Sequence, residues 1–163
     1  MNIRRASSAD ASKVLEFLRQ FRAEGLDTVL EHDSPPTIQE EEAFIRKLDG
    51  NSGIMLVAEA SGRVVGSLTA EIYRHPQLQH SCEFGMGVLN EHRATGIGTK
   101  LVGQLTEWAL SKHLRRIELS VLGNNWRAIE LYLKLGFLEE GRKRGAIRVG
   151  SGYEDIVQMV RQL

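Results

Sequence analysis

One cysteine, three prolines and a net charge of zero set the first limits on this 163-residue chain. With Cys82 alone no intramolecular disulfide can form, and five scattered histidines show no zinc-ligand spacing, so no metal is expected. Basic and acidic residues balance at 21 each, which leaves no broad electrostatic footprint for nucleic acid or an anionic membrane. No run approaches the roughly 18 apolar residues that a membrane span needs, and the opening MNIRRASSAD lacks the apolar core of a signal peptide. The expectation is a soluble, cytoplasmic protein without a nucleic-acid or membrane partner. No repeat or low-complexity linker divides the chain, and its length suits a single domain spanning residues 1–163.

The hydrophobic pattern changes period along the chain. After a short strand at MNIRRA, Ser7 with Asp10 and then Thr37 with Glu40 give capping-box signals for two helices, the first stopped by Gly25. Val14, Leu15, Leu18 and Phe21, and later Phe44, Ile45 and Leu48, keep helical spacing. From Ile54 the stretches IMLVAEA, VVGSLTAEIY and SCEFGMGV read as three strands, the first two joined by a tight hairpin at SGR. A helix follows with Ile97, Leu101, Leu105, Trp108 and Ala109 on one face, then the strand RRIELSVL. Asn124 or Asn125 caps a further helix that Gly136 ends, and two closing strands complete the chain. This order predicts a mixed α/β fold: a mostly antiparallel sheet of about seven strands with about four helices on its two faces. The helix from about Ile97 to Ser111 is a crossover that lets its flanking strands run parallel.

The loop HRATGIGTK, His92 to Lys100, joins a strand to that crossover helix. Gly96 and Gly98 allow positive φ angles and close approach of a ligand to the backbone. The first N–H groups of the helix have no intrahelical partner and lie at the positive end of its dipole, which suits a phosphate or pyrophosphate. Spacing excludes two common readings. No Gly-Lys-Ser/Thr triplet follows, as an ATP-binding P-loop requires, and Leu101 stands where a dinucleotide fingerprint wants glycine or alanine.

Arg93-x-x-Gly96-x-Gly98 opening a helix resembles the acyl-CoA signature of the GNAT superfamily of N-acetyltransferases. NWRAIELYLKLGF, Asn125 to Phe137, is similar to that superfamily's second signature at every named position, and the element order matches over essentially the entire chain. The resemblance implies a GNAT-like acyl-CoA N-acyltransferase fold with acetyl-CoA as cosubstrate. It implies that backbone N–H groups from Arg93 through Ala94, Thr95, Gly96, Ile97 and Gly98 to Thr99 hold the CoA pyrophosphate. The pantetheine arm would pair with the preceding strand around Met86 and Val88, and Asn125 would contact the cofactor or cap its own helix.

N-acetyl transfer needs a deprotonated amine, whereas an alkyl ammonium titrates near about 10.4. Strand alternation puts Glu83, Gly85 and Gly87 on one face, and Cys82, Phe84, Met86 and Val88 on the other. Glu83, beside a strip without side chains, is the first candidate for the base, acting through water; Glu71, His75 and His80 rank below it. By the resemblance Tyr132 is the acid that protonates the departing thiolate, and the Val88 N–H polarises the thioester carbonyl. Cys82 shares the phase of Phe84 and Met86, which favours a core position and direct transfer over an acyl-enzyme. The basic cluster Arg142, Lys143, Arg144 and Arg148 reads as a solvated hairpin.

The resemblance implies a small-molecule or peptide amine as the acceptor. Glu31, Asp33, Glu40, Glu41 and Glu42 form an acidic stretch that would favour a cationic one, or a merely solvated face. The resemblance also raises a homodimer through the C-terminal strands, and a noncatalytic acyl-CoA-binding module as the alternative function.

Overall fold

A computed structural model gives the architecture of residues 1–25 and 35–163. The chain runs β1 (Asn2–Arg5), α1 (Ala11–Ala23), α2 (Ile38–Lys47), β2 (Gly53–Ala60), β3 (Arg63–Ile72), β4 (Ser81–Val88), α3 (Ile97–Ser111), β5 (Arg116–Leu122), α4 (Trp126–Lys134), β6 (Leu138–Val149) and β7 (Gly152–Gln162). The seven strands form one sheet in the order β1-β2-β3-β4-β5-β7-β6. Every neighbouring pair is antiparallel except β4 and β5, which run parallel across the α3 crossover. This is the mixed α/β arrangement that the change of hydrophobic period predicts.

Local signals set the element ends. At α2 the Thr37 N–H donates to Glu40 Oε2 at 2.7 Å while the Glu40 N–H donates to Thr37 Oγ1 at 3.2 Å, a reciprocal capping box. At the first helix the Ser7 N–H donates to Asp10 Oδ2 at 2.8 Å, and a single 3₁₀ turn precedes α1. Arg4 adds a two-pronged clamp, with Nη1 and Nη2 at 2.8 and 2.7 Å from the two Asp10 oxygens. Ser61 and Gly62 both take positive φ (49° and 77°), the primed turn that suits the right-handed twist of the β2–β3 hairpin.

The helices flank both faces of the sheet. A Cβ at Gly87 would lie 3.0 Å from the Phe21 ring of α1, so α1 packs on the Gly87 face. A Cβ at Gly98 of α3 would lie 3.3 Å from Met86 Cε, so α3 packs on the Met86 face. Leu68, Ile117, Leu101, Leu105 and Phe137 are fully buried between sheet and helices, and Cys82 is buried among them.

One feature of the register creates the site. β4 and β5 pair only from Ser81 with Arg116 to Glu83 with Glu118. Beyond that, β4 stays with β3 as far as Val88 and β5 stays with β7 as far as Leu122. The two central strands therefore part, and a wedge opens in the middle of the sheet.

Candidate active site

The wedge is the head of a cleft of about 910 Å³. Its walls are Phe84 to Val88 of β4, Ser120 to Leu122 of β5, the loop into α3, the inner face of α4 and Phe21 of α1. Of the residues expected from sequence, Met86, Val88, Arg93, Ala94, Gly96, Ile97, Gly98, Thr99, Asn125 and Tyr132 line it. Thr95 and Glu83 do not. The Thr95 hydroxyl turns back to donate to the His92 carbonyl at 2.6 Å, and Glu83, exposed on β4, belongs to the last β4–β5 pair, below the point where the strands part.

On the β4 side the wall is an exposed strand edge. The Leu89 N–H donates to the Val65 carbonyl at 2.9 Å. Backbone groups alternate in direction along a strand, so the N–H groups of Val88 and Met86 point the other way, into the wedge. The Val88 carbonyl obeys the same phase and accepts from Arg93 Nε at 2.9 Å.

At the other end, Ala94 and Gly96 both take positive φ (59° and 83°), which curls the loop into α3. The first bond that closes inside the helix is from the Lys100 N–H to the Gly96 carbonyl at 3.1 Å. The N–H groups of Ile97, Gly98 and Thr99 thus have no partner among the described residues and lie at the positive end of a 15-residue helix. Arg93 contributes less charge than its position suggests. Its Nη2 is 2.5 Å from Glu24 Oε2, and Glu24 also accepts from the Asn90 N–H at 2.8 Å. Arg93 is a brace between α1 and the loop, so the donors left facing the cleft there are backbone N–H groups. Asn125 caps α4, its Oδ1 accepting from the Ala128 N–H at 3.2 Å.

Tyr132 reaches the cleft from the Phe84 face. Its ring packs edge-on against Phe84 and against Phe137, with centroids 5.8 Å apart in each case. The residue is 6% exposed, and burial pushes the phenol up to about 12. No hydrogen-bond partner for its hydroxyl occurs among the described residues, so the ring is held by packing and the hydroxyl is left available.

A polar chain occupies the opposite face. Ser120 Oγ donates to Glu83 Oε1 at 3.2 Å and accepts from Gln158 Nε2 at 2.9 Å. The Tyr73 hydroxyl lies 3.3 Å from Glu83 Oε2 and equally far from Glu118 Oε2. Burial, reinforced by the two carboxylates, raises the Tyr73 phenol well above its ordinary range. Arg116 Nε meets Glu118 Oε1 at 2.5 Å and its Nη1 reaches Glu140 at 2.8 Å, so the far end of the chain is neutralised.

Several other candidates are engaged elsewhere. Glu71 pairs with Lys47 at 2.8 Å, and His75 accepts from the Gln77 N–H in its own turn. Arg142 bonds Glu139 and Asp155 on the C-terminal hairpin. Burial raises the Cys82 thiol to about 12, and Glu118 adds to the effect. Of the acidic stretch, Glu31 and Asp33 lie outside the described residues; Glu40 is occupied as a cap, and Glu41 is buried in α2 with its carboxyl pushed up by desolvation.

Sequence reasoning missed Ser120, Tyr73, Glu118, Gln158 and Phe21 as parts of the site. One signal was present: in RRIELSVL, period-two alternation sets Arg116, Glu118 and Ser120 on one face.

A mixed sheet that splits beside the glycine turn of its crossover helix defines the acyl-CoA N-acyltransferase class of fold. The chain belongs to the acetyltransferase (GNAT) family, whose sequence profile matches residues 15–137. It is 38% identical over 109 residues to the L-amino acid N-acetyltransferase AaaT of Escherichia coli (strain K12), a match covering 65% of this chain and 66% of that protein. The aligned part is thus just under two thirds of that relative's length. A GNAT-family acetyltransferase from Streptococcus pneumoniae superposes with a TM-score of 0.93 over 99% of both chains at 26% identity. The fold is also that of a phosphinothricin acetyltransferase from Sinorhizobium meliloti solved in complex with acetyl-CoA, with a TM-score of 0.87 over 99% of this chain and 88% of that one at 22% identity.

Proposed function

We propose that this protein transfers the acetyl group of acetyl-CoA directly to a primary amine of a small molecule or peptide. The observation that carries the reading is the cleft itself. It is open at one end to three free helix N–H groups and at the other to the Tyr132 hydroxyl, with a carboxylate close behind the opposite wall.

In this reading the N–H groups of Ile97, Gly98 and Thr99, with the loop from Arg93 through Thr95, hold the pyrophosphate. The exposed edge at Met86 and Val88 pairs with the pantetheine amides, and the Val88 N–H faces the thioester carbonyl, where it stabilises the developing oxyanion. Tyr132, held neutral by burial, gives its proton to the leaving thiolate. Glu83 removes a proton from the amine at one remove, since it stands off the cleft wall. The acetyl-CoA seen in the Sinorhizobium meliloti neighbour and the amine acceptor named for the Escherichia coli relative support this assignment.

The test is a thiol-release screen with acetyl-CoA against L-amino acids, polyamines, aminoglycosides and peptides with free N-termini. Release with at least one amine, and an acetylated product by mass, is the expected result. Thermal stabilisation by acetyl-CoA without thiol release from any amine would instead establish a noncatalytic acyl-CoA-binding module.

A further inference from the structure

We infer that Ser120 is a catalytic residue, the hydroxyl through which the acceptor amine passes its proton to Glu83, with Gln158 as the positioning residue that orients it. The inference rests on the acetyl-transfer reading above and deepens it.

Ser120 lines the cleft and Glu83 does not, yet the two are joined by a 3.2 Å hydrogen bond. An amine seated against this part of the cleft touches Ser120, and the exposed Glu83 carboxylate beside it is linked to the cleft through the serine hydroxyl. Tyr132 enters the same cleft from the other face of the sheet, so acid and relay stand on opposite sides of the gap where β4 and β5 part.

A serine hydroxyl has one proton to give and two lone pairs to offer. The Gln158 amide donates into one lone pair at 2.9 Å, which turns the hydroxyl proton toward Glu83 Oε1. One lone pair is left, and the cleft is the open direction. The serine is thus set to accept a proton from the amine while passing its own to Glu83.

The step balances. An ammonium N–H bond breaks, that proton bonds to Ser120 Oγ, and the original Ser120 proton bonds to Glu83, which becomes a neutral acid. The freed nitrogen lone pair forms the C–N bond to the thioester carbonyl carbon. As the C–S bond breaks, Tyr132 protonates the sulfur, and the second nitrogen proton returns through solvent to Tyr132. The proton held by Glu83 leaves to solvent, so one proton is released per acetyl transferred.

The test compares wild type, Ser120→Ala, Ser120→Thr and Glu83→Gln, using acetyl-CoA and the best amine of the screen. A relay predicts that Ser120→Ala lowers kcat at pH 7 by about 100-fold or more, the usual range for a general base. KM for acetyl-CoA and thermal stabilisation by acetyl-CoA should stay within twofold of wild type. The defect should shrink as pH rises through the amine's own pKa, because a free amine needs no base, and Ser120→Thr should recover most of the rate. If Ser120→Ala stays within threefold of wild type while Glu83→Gln collapses, Glu83 acts through water and the relay is wrong. Equal, pH-independent losses in Ser120→Ala and Ser120→Thr would mean a structural role and also overturn it. Wild type that binds acetyl-CoA yet acetylates nothing overturns the enzymatic reading itself, a result visible before any variant is made.

Discussion

Glu83 and Glu118 are partners in the last parallel pair before β4 and β5 separate, and the single hydroxyl of Tyr73 lies 3.3 Å from a carboxylate oxygen of each. Two like charges on neighbouring strands repel, and a hydroxyl can donate to only one of them at a time. The phenol is held neutral by burial and by the carboxylates themselves, so it remains a donor at any working pH. Tyr73→Phe removes that donor while leaving the ring. It should lower kcat/KM for the amine by about 3- to 10-fold, the net worth of a typical hydrogen bond, with acetyl-CoA binding unchanged. Calorimetric titration of acetyl-CoA beside steady-state rates separates the two effects.

Tyr132 offers a cleaner division between packing and chemistry. Its ring contacts Phe84 and Phe137, and its hydroxyl makes no bond among the described residues. Tyr132→Phe should therefore leave the melting temperature almost unmoved and lower kcat by about 100-fold or more, as expected when a general acid is lost. Because burial raises the phenol to about 12, the acid form persists through the alkaline range. Wild-type kcat should show no decline assignable to this group below about pH 11, and a rate profile measured to that limit checks it.

Gly87 tests the contact between the cleft and α1. An added Cβ would lie 3.0 Å from Phe21 Cε2 and Cζ, closer than side chains normally approach. Gly87→Ala must push the Phe21 ring aside, at a cost of about 1–3 kcal/mol, and with it the α1 edge of the cleft. Combining it with Phe21→Leu should return most of the stability, since the shorter side chain vacates the space. Denaturant melts of the two single variants and the double variant give the coupling.

The order of elements was legible because each rests on a local signal: two capping boxes, a two-residue hairpin, and glycines that end α1 and α4. The turn of the loop into α3 was legible because its glycines and the helix behind them act through backbone groups, whose direction follows from the element. The parting of β4 and β5 was not. Nothing in SCEFGMGV or RRIELSVL states how many residues of each will pair, because register depends on what packs against both strands. For the same reason Glu83 was placed on the correct face, yet its distance from the cleft and its link to Ser120, 37 positions later, required the assembled sheet. Gln158 and Tyr73 come from still other strands.

Asp10 predicts how the fold responds to acid. Arg4 holds its carboxyl well below the usual carboxylate range, and the Ser7 N–H and hydroxyl assist. A depressed folded-state value means the stabilisation is fully present above the unfolded value near about 3.9. It is lost as pH falls below that value toward the folded one. Asp10→Asn removes a buried charge-assisted bond and should cost about 2 kcal/mol at pH 7. The gap between variant and wild type should narrow below about pH 4. Thermal melts at pH 7, 5 and 3 measure both the gap and its closing.

Cys82 decides between direct transfer and an acyl-enzyme. Its thiol is fully buried and raised to about 12, so almost no thiolate exists at neutral pH and the sulfur cannot reach a thioester in the cleft. If the acetyl group moves straight to the amine, Cys82→Ala should keep kcat within about threefold while losing roughly 1 kcal/mol of stability to the small cavity. Intact mass after incubation of the wild type with acetyl-CoA alone should show no 42-dalton adduct, the mass of an acetyl group replacing hydrogen as fixed by the chemistry of acyl transfer (about 42). An adduct that disappears in Cys82→Ala, together with loss of turnover, would require β4 to open and would replace the ternary-complex mechanism with a two-step one.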